Sequence, residues 1–272
     1  MSRRVALLMT ATIAPNGCPG AMFTVEERKS QYLKAFRFYV NNLSARDDGG
    51  YNYLLFCENS GVPLDEFRSL IPNEVVGKVE LLSCPPEIFS PLKGKGYNEE
   101  LMIDYAIGKS RVIQDASPFV FKVTGRYSIA NITRIVNDFR QIDNGEIDLY
   151  IDIKDHKLYS SLGLDWPQED ADTRCFGFSP QFYKSEIAGR YVELDDALRH
   201  TLERQFFNLY KCYRGDGRMK FRFTRDMLVD GVTGHKSSFL KIPIPVRFSR
   251  QANILKYCVR SCVRRIAPGF WF

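Results

Sequence analysis

The chain has 272 residues, of which 44% are hydrophobic and 26% are charged, and its formal net charge is +6 at pH 7. This length and composition indicate a folded protein with a full core, and they exclude a disordered or fibrous chain. The positive charge is mild and spread out until the C-terminus. It argues against a nucleic-acid-binding protein and is compatible with anionic ligands or an anionic membrane surface.

The first half of the chain alternates predicted strands and helices. Apolar runs that end in turn residues predict strands at 4–13, 51–57, 75–82 and 119–123. Thr24 and Glu27 match a capping box, which predicts a helix over 25–43, and shorter helices are predicted over 64–70 and 99–110, the latter capped by Asn98. This alternation favours an α/β fold with parallel strands and crossover helices.

The second half is less regular. Strands are predicted at 146–153 and 175–178, and Ser179 with Pro180 opens a helix. A longer helix is predicted over 194–213, where His200 and Glu203 share one face. We place one domain over 1–247, with halves 1–135 and 136–247, followed by a tail over 248–272.

The tail is a predicted basic amphipathic helix with aromatic residues at its end. Its basic residues are Arg250, Lys256, Arg260, Arg264 and Arg265. Such a helix can lie on an anionic bilayer. The alternative, with equal weight, is a helix packed on the domain with its basic side chains in water.

The seven cysteines indicate the cellular compartment. Their number is odd, they form no CxxC pair, and Cys57 and Cys84 lie in apolar runs. We therefore expect reduced cysteines in a cytosolic protein. Arg3 and Arg4 precede too short an apolar run for a signal peptide, and no run approaches the roughly 20 residues of a membrane-spanning helix.

Polar and basic residues follow the predicted strands. Ligands of α/β sheets bind outside the carboxyl ends of the strands, and Arg and Lys pair with phosphate oxygens. A phosphorylated ligand is therefore a candidate for this edge, and ordinary loop polarity is the alternative. The residues concerned are Thr12, Glu58, Asn59, Ser60, Lys95, Thr124 and Arg126.

Three smaller groups carry further hypotheses. Asp172 and Arg174 suit a sugar hydroxyl or a partner charge, or else form a surface salt bridge. Glu203 or His200 suits a general base if it faces a cleft, and a solvated helix face is the alternative. Asp148 and Asp152 are a possible pair of metal ligands, although a solvated strand face is favoured, and the histidines lie too far apart for a zinc site.

The order of these elements resembles GT-A-fold glycosyltransferases of the bacterial surface-polysaccharide type, which make capsule, O-antigen or lipooligosaccharide. The resemblance covers about 5–213. It implies an α/β fold with a GT-A-like, Rossmann-type mixed sheet flanked by helices. The matching segments are 10–15, Arg28 with Tyr32, 58–61, 93–99, 122–127, 171–174 and Glu203.

The resemblance implies a nucleotide-sugar donor in the first half and a lipid-linked or oligosaccharide acceptor in the second. Asp172 and Arg174 would bind the acceptor. The protein would be cytoplasmic and would lie on the inner face of the inner membrane through its tail. The implied donor residues are Thr10, Thr12, Glu58, Asn59, Ser60, Lys95, Glu99, Lys122, Thr124, Gly125, Arg126 and Tyr127.

One motif departs from the family. Its fourth strand usually ends in an Asp-x-Asp that binds a divalent metal, whereas here Thr124-Gly125-Arg126 follows the strand. We therefore expect no metal cofactor, with Arg126 and Lys95 neutralising the diphosphate, and Mn²⁺ or Mg²⁺ is the alternative.

The resemblance also implies catalytic roles. Glu203 is the best match to the acid that deprotonates the acceptor hydroxyl in inverting members, Asp195 or Asp196 is second, and His200 and Arg126 complete the catalytic set. The rival function is a non-catalytic, Rossmann-like module that binds an anionic ligand or partner. A nucleotidyltransferase, which would need Asp148 and Asp152 as metal ligands, ranks last.

Overall fold

A computed structural model describes residues 3–15, 17–18, 21–43, 50–155, 169–232, 245–246 and 252–267. The strands are β1 Val5–Ala11, β2 Tyr53–Glu58, β3 Val79–Ser83, β4 Phe119–Thr124, β5 Ser128–Ile129, β6 Leu149–Asp155, β7 Glu169–Phe178, β8 Met219–Lys220, β9 Val229–Val232 and β10 Pro245–Val246. The helices are α1 Val25–Asn42, α2 Asp65–Arg68, α3 Lys95–Lys109, α4 Arg111–Ala116, α5 Ile132–Ile142, α6 Pro180–Glu186, α7 Leu202–Tyr213 and α8 Ala252–Ile266.

A seven-stranded mixed sheet forms the centre, in the order β3-β2-β1-β4-β7-β6-β8. The strands from β3 to β4 are parallel, and β7 runs antiparallel to both β4 and β6. The predicted α/β class, with a mixed sheet flanked by helices, is confirmed. The parallel order brings the carboxyl ends of β1, β2 and β4 to one edge, which is called the carboxyl edge below.

Side chains alternate between the two faces of the sheet, and each face has its own core. Leu7 and Phe121 pack on the face that α1 and α5 cover, whereas Leu8 and Val120 pack on the face of α3, α6 and α7. Every residue of β1 is buried, as expected for a central strand covered on both sides.

A large bulge interrupts β7 beside the carboxyl edge. In the ladder of β6 with β7, Ile151 pairs with Phe176 and Ile153 pairs with Ala171, so that Asp152 alone stands opposite 172–175. A bulge leaves its extra residues outside the ladder and re-aims their side chains. Asp172, Thr173 and Arg174, predicted to precede a strand beginning at Cys175, therefore lie within β7.

Local capping signals explain where some helices start. The capping box of Thr24 and Glu27 is present at α1, and Ser179 caps α6 with Pro180 at its first position. The predicted cap at Asn98 is wrong, because α3 begins at Lys95 after Gly94. The Asn98 amide instead accepts from Ser90 N at 2.8 Å and donates to Gly94 O at 2.6 Å.

The predicted helix over 194–213 is also wrong in its first third. Arg199 has a left-handed φ of 61°, His200 forms a backbone bridge with Asp195, and Thr201 caps α7. His200 therefore precedes the helix that carries Glu203, and the predicted shared helix face does not exist. The predicted C-terminal helix is present as α8. Within the ranges described, no helix has the length and apolar character needed to cross a bilayer.

Candidate functional site

Lys122 forms the centre of a polar cluster at the carboxyl edge. Its side chain is 0% exposed, and its ammonium lies 2.6 Å from Glu99 Oε1. It also donates to Thr124 Oγ1 at 3.1 Å and to the backbone oxygen of Thr173 at 2.7 Å. An ammonium has three hydrogens, so these three acceptors saturate it.

Glu99 joins this cluster from the first turns of α3. Its Oε1 accepts from Thr10 Oγ1 at 2.9 Å and lies 3.4 Å from Thr124 Oγ1. The structure thus brings together four of the residues predicted to bind a donor. These residues bind one another, so they have a structural role at the carboxyl edge.

Glu203 lies at the start of α7 and contacts two neighbours. Its Oε1 accepts from Thr173 Oγ1 at 3.0 Å and lies 3.6 Å from Lys95 Nζ. Burial raises the pKa of Glu203, but Lys95 and the hydrogen bonds of Thr173 and Thr201 outweigh burial, so the pKa lies below its usual value. The carboxylate is therefore ionised at neutral pH. The Lys95 side chain is 60% exposed and offers a cation to solvent.

Arg126 lies beside Tyr127 after the end of β4. The Arg126 guanidinium lies 5.6 Å from the centroid of the Tyr127 ring, and its Nη1 donates to Gln31 Oε1 at 3.4 Å. Glu203 is the main group that raises the pKa of Lys95, with Tyr127 a smaller contributor. Lys95 thus interacts electrostatically with both Glu203 and Tyr127, and Arg126 lies beside the same tyrosine.

The ends of β1 and β2 are tied together by the other donor candidates. Thr12 Oγ1 donates to Asn59 Oδ1 at 2.8 Å, and Glu58 Oε1 accepts from Ser60 N at 2.9 Å. Buried Arg28 donates to the Thr12 carbonyl. Glu58 Oε2 and Asn59 Nδ2 are buried and have no hydrogen-bond partner among the described residues. Such orphaned atoms are ones that a ligand or water would satisfy.

Gly125 has a packing role that the motif alone did not show. Its N donates to Thr10 O at 3.0 Å, and a Cβ built on Gly125 would lie 2.6 Å from that oxygen. Only glycine permits this close approach of β1 to the end of β4. Its part in donor binding stays a prediction.

The acceptor candidates form a tight ion pair inside the bulge of β7. Arg174 Nε lies 2.8 Å from Asp172 Oδ1, and a second contact joins Nη2 to Oδ2. Burial raises the pKa of Asp172, but Arg174 outweighs it and holds the pKa well below its usual range. Asp172 is buried, whereas Arg174 is partly exposed and is the member of the pair that can meet a ligand.

The tail helix α8 is bound to the rest of the domain by ion pairs. Arg264 makes two 2.7 Å contacts with Asp152 and a 3.0 Å contact with Asp226 Oδ1, and Arg260 lies 3.2 Å from Asp226 Oδ2. Of the two interpretations of the tail, packing on the domain is present. The expectation that its basic side chains lie in water is wrong for Arg260 and Arg264, because Arg264 pairs with buried Asp152 and Arg260 pairs with partly exposed Asp226.

The acidic residues considered for a metal have other partners. Asp148 accepts from Ser179 Oγ at 2.6 Å and from Arg218 Nη1 at 3.0 Å, while Asp152 binds Arg264. No group of three or more potential ligands lies together in the described parts of the chain. An Asp-x-Asp does occur at Asp170-Ala171-Asp172, but it lies in β7, and Arg174 holds both oxygens of Asp172.

Sequence patterns missed two residues of this site. Thr173 holds Glu203, and Asp196 Oδ2 accepts from Lys95 N at 2.8 Å at the start of α3. Thr173 lies between Asp172 and Arg174, whose charges carry the acceptor hypothesis, and the sequence suggests Asp196 only as an alternative base. Each of the two pairs with a residue far along the chain, and such pairing leaves no local pattern in the sequence.

No protein-family model matches the chain, and no curated protein matches it in sequence. Solved structures do match it. The bifunctional glycosyltransferase WbbM matches with a TM-score of 0.44 and 10% identity, over 81% of this chain but 39% of its own.

Two further matches cover more of their own length. The galactosyltransferase LgtC, solved with donor and acceptor sugar analogues, has a TM-score of 0.47 and 10% identity, over 79% of this chain and 72% of its own. The core-mannan synthase CmsA of Aspergillus fumigatus, solved with Mn and GDP, has a TM-score of 0.46 and 12% identity, over 97% and 85%.

The matches are not confined to one reaction. A Bacillus anthracis protein described as a glucose-1-phosphate thymidylyltransferase matches with a TM-score of 0.45 and 10% identity, over 84% of this chain and 89% of its own. Similarity at this level establishes neither a family nor an activity for this chain. The function is therefore argued from the carboxyl edge.

Proposed function

We propose that the chain is a glycosyltransferase that moves a sugar from a nucleotide-sugar donor to an acceptor hydroxyl. The observation that supports this most is the ionised Glu203 carboxylate beside the exposed ammonium of Lys95 at the carboxyl edge. A carboxylate base and nearby cations are what a displacement at an activated sugar needs. The resemblance of the motifs around both residues supports the nucleotide-sugar class.

The reaction would be a direct displacement. Glu203 takes the proton of the acceptor hydroxyl while the hydroxyl oxygen bonds to the anomeric carbon of the sugar. The bond from that carbon to the phosphate oxygen breaks, and the departing nucleotide keeps the electron pair. Arg126 and Lys95 neutralise the charge that grows on the phosphate.

The donor would lie along the ends of β1, β2 and β4. Glu58 Oε2 and Asn59 Nδ2, which have no partner among the described residues, offer an acceptor and a donor to its polar atoms. Arg174, which Asp172 holds in place, would meet the acceptor. We assign the phosphate to cations because Thr124-Gly125-Arg126 ends β4 where an Asp-x-Asp would be expected. The transfer would then proceed without a divalent metal.

The acceptor would be lipid-linked or a growing surface glycan on the cytoplasmic face of the inner membrane. This part of the proposal rests on α8, whose outward side carries the exposed residues Val259, Arg265 and Ile266. Apolar and basic side chains together suit an anionic bilayer surface.

The rival function is a binding module without turnover. The mutual satisfaction of Lys122, Glu99 and Thr124 favours it, because a rigid and saturated cluster is also what a binding scaffold needs. The two functions differ in one respect. An enzyme loses turnover when its base is neutralised, and a binding module has no turnover to lose.

Glu203→Gln tests the base. We expect the variant to bind the donor as the wild type does and to lose at least about 100-fold in kcat, the scale of general-base catalysis. Nucleotide release from a panel of nucleotide sugars, with candidate acceptors present, measures turnover. Glu74→Gln, at an exposed position, is the control. Equal turnover by Glu203→Gln and wild type would remove Glu203 as the base.

A further inference from the structure

The bulge of β7 leaves a backbone carbonyl without a strand partner. The ladder of β4 with β7 ends at the pair of Val123 with Cys175, so Thr173 lies beyond it. A buried carbonyl needs a hydrogen-bond donor. The ammonium of Lys122 supplies this donor at 2.7 Å and takes the place that a ladder N–H would have.

The same residue of the bulge holds Glu203. Thr173 Oγ1 donates to Glu203 Oε1 at 3.0 Å, while Thr173 O accepts from Lys122. Thr173 is buried, and its two bonds run to different elements, β4 and α7. A continuous chain of hydrogen bonds thus leads from Lys122 through Thr173 to Glu203.

Lys122 is badly placed for direct contact with a ligand. Its side chain is 0% exposed, and Glu99, Thr124 and Thr173 use all three of its hydrogens. The lysine that can meet a phosphate is Lys95, which is 60% exposed. The role of Lys122 must therefore be exerted through its neighbours.

We propose that Lys122 is a positioning residue: it fixes the bulge of β7 so that the Thr173 hydroxyl orients Glu203. This inference rests on the proposed function of Glu203 as a base. It changes the role predicted for Lys122 from donor binding to support of the base. It also adds Thr173 to the site as the link between the two.

Two substitutions at Thr173 test the link. Thr173→Val removes the hydroxyl but keeps the shape and the backbone carbonyl, and Thr173→Ser keeps the hydroxyl. In protein labelled with [¹³C-carboxyl]glutamate, the Glu203 resonance is the one that Glu203→Gln lacks. We expect its titration midpoint to move to higher pH in Thr173→Val and to stay in place in Thr173→Ser. An unchanged midpoint in folded Thr173→Val would overturn the link.

The role of Lys122 needs a variant that leaves no buried charge unpaired. Lys122→Met/Glu99→Gln removes both members of the ion pair and keeps the net charge, so the wild type is its reference. We expect the double variant to raise the Glu203 midpoint above that of the wild type. We also expect about a tenfold lower kcat, the scale of one hydrogen bond to a charged group, with donor KM within about twofold.

The two readouts separate this inference from the proposed function. Equal Glu203 midpoints in the double variant and the wild type would contradict the role of Lys122, whatever the activity. If the wild type turns over no nucleotide sugar but the double variant still has a raised Glu203 midpoint, the positioning role is supported and the proposed activity fails. A double variant whose only kinetic change is a higher donor KM would indicate that Lys122 acts in donor binding.

Discussion

At the scale of single residues, the site depends on one carboxylate and the charges around it. Glu203 is largely buried, yet its pKa lies below the usual value because Lys95, Thr173 and Thr201 favour the ionised form. This ionisation contributes stability above the pKa of unfolded Glu203, and the contribution is lost as pH falls through the lower folded pKa. The charge of Lys95 is therefore tied to the protonation of the proposed base.

Lys95→Met should raise the pKa of Glu203. The acid limb of the pH dependence of kcat/KM should then move to higher pH, because the carboxylate is protonated earlier on acidification. Lys93→Met is a matched control, since the Lys93 ammonium pairs with a different carboxylate, that of Asp195, at 3.6 Å. Acid limbs that coincide for Lys95→Met and Lys93→Met would contradict the coupling.

At the scale of elements, helix α3 has one face at the site and one in the core. Glu100 is buried on the inner face, where it accepts from Gln205 Nε2 at 2.9 Å. Burial first, and Asp104 second, raise the pKa of Glu100 to about 8. The helix that presents Lys95 and Glu99 is thus anchored by a carboxyl that is protonated at neutral pH.

Glu100 gives the fold a pH-dependent stability. Its folded pKa of about 8 exceeds the ordinary 4.5, so folded protein binds more protons than unfolded protein between these values. The contribution of this residue should therefore fall as pH rises from about 4.5 to 8. Urea unfolding at pH 6 and pH 9 should show that Glu100→Gln loses less stability than wild type. Identical pH dependence in both proteins would refute the raised pKa.

Helix α8 is the second element with a specific anchor. The side chains of Arg264 and Asp152 are 8% and 9% exposed, and removal of one member of such a pair leaves a buried charge unpaired. Arg264→Met should therefore cost about 3–5 kcal/mol in the free energy of unfolding. Arg265→Met, at the exposed neighbouring position, should change it by less than about 0.5 kcal/mol. Denaturant unfolding measures both, and equal costs would contradict the anchor.

Elements differ in how far the sequence predicts them. The capping box of α1 and the apolar run of β1 are local signals, and both elements appear within two residues of the prediction. The predicted start of α7 is too early because the helical pattern of the sequence continues through Arg199 without a break. The left-handed conformation of Arg199 interrupts the helix there. The bulge of β7 and the burial of Arg264 depend on partners far along the chain, and no local pattern encodes them.

At the scale of the whole molecule, the outer side of α8 is the proposed membrane contact. Inward pairing of Arg260 and Arg264 fixes which side faces outward. Val259→Ser/Ile266→Ser should therefore reduce sedimentation with vesicles that contain anionic lipid, because both side chains are exposed. The unfolding midpoint should stay within experimental error. Sedimentation equal to wild type would place the membrane contact elsewhere or exclude it.

Thermal stabilisation by nucleotides and nucleotide sugars tests most directly whether the carboxyl edge binds a nucleotide-sugar donor, as we propose. One nucleotide class at 100 times its Kd should add about 2.7 kcal/mol, in EDTA as well as with Mn²⁺. Arg126→Ala should lose this stabilisation, and Arg134→Ala, at an exposed position in α5, should keep it. A folded wild-type protein that no nucleotide or nucleotide sugar stabilises, with or without Mn²⁺, would contradict donor binding at the carboxyl edge.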